Sequence, residues 1–171
     1  MMKKTLGVIL ILLTTFIFSA VAYSSNNKIV ASLDDEKISV ETLATYVEDV
    51  AGDKYESWLR DKEGLRKLAE FDINRTLLLE YARKTVNKKD AIVTNHNARS
   101  VDEDVMYLTT LLKNEVQDKV SVSAEAVSVY MEKNQIDSEK QARQEIESDL
   151  KNKLMGALVE NVRDGHEIKY F

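Results

Sequence analysis

The chain has no cysteine. Disulfides, thiolate catalysis and cysteine-ligated zinc are therefore excluded, as is a lipid attached through a lipobox cysteine. It also has no proline, and only five glycines among 171 residues. Proline breaks a helix interior and glycine weakens it, so a chain poor in both points to long helices. Histidine occurs only as His96 and His166. Two histidines so far apart offer neither a metal-ligand spacing nor an acid–base pair. There is no G-x-S-x-G and no phosphate-binding glycine loop. The acidic runs Asp34-Asp35-Glu36 and Asp102-Glu103-Asp104 lack the spacing and glycine of a calcium loop, and read as a solvated turn and a helix start. Basic residues are outnumbered, 24 Lys and Arg against 29 Asp and Glu, a net charge of −5. That balance argues against a nucleic-acid partner, which needs clustered cations. No cofactor and no catalytic residue are implied.

What is present begins with "MMKKTLGVILILLTTFIFSAVAYSS". Lys3 and Lys4 precede an almost wholly apolar run from Leu6 to Phe18, and Ala20-Val21-Ala22 supplies small residues at a cleavage site. This is the pattern of a secretory signal peptide over residues 1–22. The apolar run is short for a span of about 20 residues, which sets an uncleaved anchor behind cleavage after Ala22. The expected product is an exported domain, residues 23–171, with no membrane span after cleavage.

From Ile29 the pattern changes. Ile29, Ala31 and Leu33 alternate with Val30 and Ser32, the period of a strand. Asp34-Asp35 would turn the chain into a second strand at Lys37-Ile38. Ser39 then caps a helix whose apolar face is Leu43, Tyr46, Val47 and Val50, ended by Gly52. Tyr55 to Val86 reads as helical, with Trp58, Leu59, Leu65, Leu68, Phe71 and Leu78 on the stripe and a break at Gly64. The dense stretch "INRTLLLEYARK" belongs at the centre of the bundle. After a polar connection comes a helix with Val101, Val105, Leu108, Leu112, Val116 and Val120 on one side. Ser123 caps a short helix holding Ala126, Val127, Tyr130 and Met131. Ser138 and Gln141 form a capping-box pattern for a last helix with Ala142, Ile146, Leu150, Leu154, Leu158 and Val162 in register. Gly165 ends it, and Ile168 to Tyr170 would form a strand that pairs with Ile29–Leu33. The expected fold is mostly α, a single helical domain with a small sheet joining the N-terminal strands to the C-terminal strand.

Two stretches carry a family likeness. Ile73, Arg75, Leu77, Leu78, Leu79, Glu80 and Ala82 follow the form I-x-R-x-L-L-L-x-x-A. Val120, Val122, Ser123, Glu125, Ala126, Val127, Tyr130 and Asn134 follow the hydrophobic pattern of a tyrosine-bearing helix end. On these the chain resembles the N-terminal chaperone domain of SurA-like and PpiC-type periplasmic foldases, a group that includes PrsA-like proteins. In that group a parvulin-type prolyl isomerase domain commonly follows the tyrosine helix. Here Asn134 runs into Ser138 and the return helix at once. The resemblance therefore implies a chaperone module with the parvulin domain absent near 134–138, and no isomerase activity. It implies a periplasmic, ATP-independent holdase for unfolded or newly secreted proteins, with a homodimer possible, since such domains can dimerise. A dedicated assembly partner or structural subunit for one secreted or envelope complex is the alternative. Methionine and aromatic side chains adapt to varied apolar partners, so Trp58, Tyr55, Met106 and Met131 are the candidate peptide-binding residues. Core filling by the same residues is the competing reading.

Overall fold

A computed structural model describes residues 28–89 and 103–171. The leader at 1–22, His96, Val101 and Asp102 lie outside the described residues. Strand β1 (Ile29–Leu33) and β2 (Glu36–Ser39) form an antiparallel hairpin. Asp34 makes its turn with a positive φ of 51°. Helix α1 (Val40–Tyr46) follows, then a π-helical turn (Val47–Ala51) and a 3-10 segment (Asp53–Arg60). Next come α2 (Lys62–Thr85), α3 (Glu103–Glu115), a short 3-10 turn (Gln117–Lys119), α4 (Ala124–Asn134), α5 (Glu139–Arg163) and β3 (Ile168–Tyr170). The chain is thus mostly helical, with one small sheet.

The sheet runs β2-β1-β3, all antiparallel. Leu33 lies opposite Ile168 and Ala31 opposite Tyr170, so the C-terminal strand pairs with the N-terminal one as its alternation requires. Being central, β1 is paired along both edges, and its two faces are covered as well. Val30, Ala31, Ser32 and Leu33 are all buried, where alternation alone predicts one wet face. Phe171 N–H donates to the Val30 carbonyl (2.9 Å) and Asp34 N–H to that of Glu167 (2.7 Å), closing both ends of the pairing.

Helix α2 is the axis of the body. It packs on α1, α3, α5, β1 and the 3-10 segment. Leu68, Ala69, Ile73, Leu77, Leu78 and Ala82 are buried along it, which places the "INRTLLLEYARK" stretch at the centre as its density of leucines demands. Leu43 and Val47, Leu111 and Val116, and Leu158 and Val162 complete the main core from other elements. Leu158 and Val162 lie in the C-terminal half of α5. Its N-terminal half instead pairs with α4, and α4 packs chiefly on α5. Val127 and Ala142 are the buried residues of that pair, and both stand apart from the main core.

The caps are where short polar side chains should put them. Ser39 and Thr42 make the reciprocal pair of a capping box. Ser123 Oγ accepts from the Ala126 N–H (3.1 Å), and Ser138 Oγ from the Gln141 N–H (3.3 Å). The box at Ser138 is half made, because the Gln141 amide donates to Glu145 (2.9 Å) rather than back to the cap. Gly165, with φ of 85°, follows the end of α5.

Several expectations are corrected. The break in the Tyr55–Val86 stretch falls at Asp61, the N-cap of α2, and not at Gly64. Everything before it is 3-10, whose tighter turn carries side chains off the 3.6-residue stripe. Val50 is exposed, because it lies within the π turn, whose wider winding shifts its phase. The helix holding Leu108 and Leu112 ends at Glu115, so Val116 and Val120 lie beyond it. Val105 and Phe71 face outward. Each is apolar at a helical spacing, but the neighbouring element covers an adjacent stripe.

Candidate functional site

Asp61 ends the 3-10 segment in an extended conformation, and its Oδ1 accepts from the Gly64 N–H at 2.8 Å. That cap folds the segment back onto the first turns of α2. The approach is close. A Cβ on Gly64 would stand 2.4 Å from the Trp58 carbonyl oxygen, so only glycine fits there. The result is an aromatic cluster assembled from two elements. The Tyr55 and Trp58 ring centroids are 4.9 Å apart, edge to face. Phe71, reaching from α2, lies 6.0 Å from Tyr55 and 5.8 Å from Trp58. These separations suit attractive ring pairs.

The cluster is open to solvent on one side. Tyr55 and Trp58 are half-buried against the core, while Phe71 is 40% exposed. Two cations rest on the rings: Lys54 Nζ is 4.8 Å from the Tyr55 centroid and Lys67 Nζ 5.6 Å from that of Trp58. The negative ring faces attract them. Lys67 also pairs with Glu63 at 2.6 Å, and that hydrogen bond holds its ammonium above the ordinary lysine range. Beside Phe71 on α2, burial pushes the Asp72 carboxyl up, partly offset by Arg75. Burial first and the charge of Asp72 second raise the nearby Tyr46 hydroxyl.

A second feature lies on the α4–α5 pair. An open groove of about 560 Å³ is lined by Ala126, Val129, Tyr130 and Ile146, with Glu125 and Lys133 at its margins. Val129 is 59% exposed. The Tyr130 hydroxyl is engaged with Glu145 (3.1 Å), and Arg143 donates to the Val122 carbonyl (2.9 Å), so one turn of α5 holds both the middle of α4 and the residue before its cap.

No protein-family model, curated protein or solved structure matches the chain. The geometry therefore carries the functional argument by itself.

Of the four residues singled out in the sequence, the structure brings Tyr55 and Trp58 together. Met106 on α3 and Met131 on α4 are half-buried and outside the ring cluster. Phe71 is the member that sequence reasoning missed, because its spacing assigns it to the core. Its neighbours Glu70 and Asp72 were the available signal. His166 is engaged at the terminal junction, with Nδ1 2.9 Å from Asp34 Oδ2. Among the described residues no group of three His, Asp or Glu could hold a metal ion, and no helix is long and apolar enough to cross a membrane.

Proposed function

We propose that the protein is an exported, ATP-independent holdase of the SurA-like type, lacking a parvulin domain, that shields apolar segments of unfolded or newly secreted proteins in the cell envelope. The observation that carries this reading is the half-exposed cluster of Tyr55, Trp58 and Phe71 beside the main core. The three rings, two pairs of them edge to face and the third tilted, form an apolar platform, and the lysines above it, at 4.8 and 5.6 Å, are long and movable. A client side chain could displace them and stack on the rings. Apolar contact contributes about 25 cal/mol per Å² before the ordering cost of the client is subtracted, so binding of any one segment is weak and tolerant of sequence.

The position of the return helix supports the parvulin-less form. Asn134 and Ser138 are exposed ends of two adjacent helices, as a module would require whose enzyme can be added or omitted at this turn. The apolar leader supports export.

The test is light scattering from several unrelated unfolded clients with equimolar protein and no nucleotide. Aggregation should fall for most of them. Phe71→Ser, which removes an exposed ring and leaves the core untouched, should lose at least half of the effect. Suppression of one client alone would favour a dedicated assembly partner. No suppression of any client would remove the holdase reading.

A further inference from the structure

Three cations converge on one recess beside the sheet. Lys28, just before β1, and Lys62 and Arg66, at the start of α2, rim a cavity of about 120 Å³ that also meets the buried Val30 and Leu65. Tyr170 of β3 and Phe171 complete it. The backbone that carries this rim is fixed. The Lys28 carbonyl accepts from the Val40 N–H (3.1 Å), and the Phe171 N–H donates to the Val30 carbonyl (2.9 Å). Arg66 lies over the Tyr170 ring, its Cζ 5.1 Å from the centroid, and the Tyr170 hydroxyl accepts from Arg163 (3.4 Å). Among the described residues no carboxylate forms a salt bridge with Lys28, Lys62 or Arg66. The acids beside Lys62 in sequence are engaged elsewhere: Asp61 accepts from the Gly64 N–H, and Glu63 pairs with Lys67. Lys62 also opens α2, at the positive end of its dipole, where an acid is the favoured residue. In a chain of net charge −5, this is a local positive field around an apolar floor, and it calls for an anion.

We propose that this recess docks the protein on a membrane, seating the phosphate of an anionic lipid headgroup between Lys28, Lys62 and Arg66. Its volume is well under the roughly 300 Å³ at which small-molecule pockets begin. It admits a headgroup and leaves the rest of the ligand outside, as a lipid requires. Phe171 stands beside the cations and is 60% exposed, placed as an aromatic anchor in the interfacial layer. A free phosphate gains nothing from that ring. An anionic bilayer repels the acidic remainder of the surface, so contact through this recess also fixes which face of the protein meets the membrane. Docking of this kind is independent of client shielding and is read without any client.

Co-sedimentation with lipid vesicles tests it. The main core is built from Val30 onward, so the protein is used without residues 1–22, whose apolar run would itself enter a bilayer. It should bind vesicles of phosphatidylcholine with about one-third phosphatidylglycerol, ignore pure phosphatidylcholine, and be released by high salt. Lys28→Gln and Lys62→Gln should each weaken binding about fivefold, and Arg66→Gln at least as much. Phe171→Ser should weaken it with no change of charge. Lys153→Gln removes an exposed cation on α5 and should bind as the parent does. Far-ultraviolet circular dichroism checks that every variant keeps its helices. Arg66 rests on Tyr170, so if Arg66→Gln does not fold, the two lysine variants decide alone. Failure to bind the anionic vesicles overturns the proposal, as does equal binding to both kinds. A loss in Lys153→Gln equal to that in Lys28→Gln and Lys62→Gln would mean diffuse attraction, and overturns it too. If the same lysines hold glycerol phosphate in solution while vesicles are ignored, the recess takes a free organic phosphate and the proposal is likewise overturned.

Discussion

Asp34 uses both carboxylate oxygens on the far end of the chain. Oδ2 lies 2.9 Å from His166 Nδ1, and Oδ1 accepts from the Glu167 N–H at 2.8 Å. Both interactions favour the ionised form, the one with His166 more than the one with Glu167, and they hold the carboxyl below its ordinary value. A carboxylate whose pKa is lower in the folded state stabilises fully above its unfolded pKa of about 3.9. That contribution fades as pH falls through the lower folded value. Asn tolerates the left-handed conformation that Asp34 adopts and can still accept from Glu167. Asp34→Asn therefore isolates the charge. Its melting temperature should lie below the parent's at pH 6, and the gap should close as the pH is lowered below 4. A gap that persists unchanged at pH 3 would assign the effect to the turn and not to the carboxylate. Gly64 makes a sharper test of close approach. Gly64→Ala gains about 1 kcal/mol of helix propensity, but its Cβ meets Trp58 backbone atoms at 2.4 to 2.8 Å. Backbone cannot swing aside, and such overpacking costs about 1–3 kcal/mol. The variant should be less stable, by up to about 2 kcal/mol. Emission from Trp58, the sole tryptophan, should shift as the ring cluster opens. A stabilised Gly64→Ala with unchanged emission would show that the 3-10 segment does not press on α2.

At the scale of elements, β3 is the shortest strand and the most consequential for closure. Three residues cannot hold a strand by themselves. They are held by pairing with the buried β1, and by Ile168 and Tyr170 packing on the main core. Ile168→Asp would place a charge in that half-buried position, beside Leu33. The cost should be about 2–3 kcal/mol, a fall of about 5–10 °C in melting temperature for a domain of this size. Melting equal to the parent's would mean that the two ends do not depend on one another. This strand was legible from its alternation, as was the hairpin, although the burial of β1 does not alternate. The helical stripes of α2 and α5 were legible too. The period states which positions are apolar, and it does not state which stripe a neighbour covers. Phe71 and Val105 satisfy the period and stand exposed, while Thr110, polar and off the stripe, is buried and bonded to the Met106 carbonyl (2.8 Å). One of the three rings of the candidate site was missed for that reason. Tyr55 and Trp58 drew attention by composition, whereas Phe71 was hidden in a stripe. The 3-10 character of the segment that carries the first two depends on the close fit at Gly64, a tertiary contact with no local signature.

The whole molecule is a body and an arm. The sheet, α1, α2, α3 and the C-terminal half of α5 share one core, and α4 with the N-terminal half of α5 forms a pair whose buried residues lie outside it. The 25 residues of α5 connect the two, so a change at the tip of the arm is carried on a long lever away from the core. That division decides what the turn at the tip can bear. Gln135 closes α4 in the left-handed conformation, and the Ile136 N–H donates to the Met131 carbonyl at 3.1 Å. Ser138 begins α5 with its own cap. Asp137, between these two closures, is exposed. A small folded domain with adjacent termini, inserted between Ile136 and Asp137, would leave both closures intact. Lengthening a loop costs only about 0.6 kcal/mol per doubling, and exposed tips are where insertions succeed. The chimera should melt within about 3 °C of the parent, a shift equivalent to no more than about 1 kcal/mol. It should also protect clients as the parent does, since the rings of Tyr55, Trp58 and Phe71 sit on the body. Helical signal retained with client protection lost would place the client surface on the arm instead. Aggregation of the chimera, with the inserted domain itself folded, would show the turn to be a structural joint. The view of this chain as a foldase scaffold without its enzyme would then lose its physical basis.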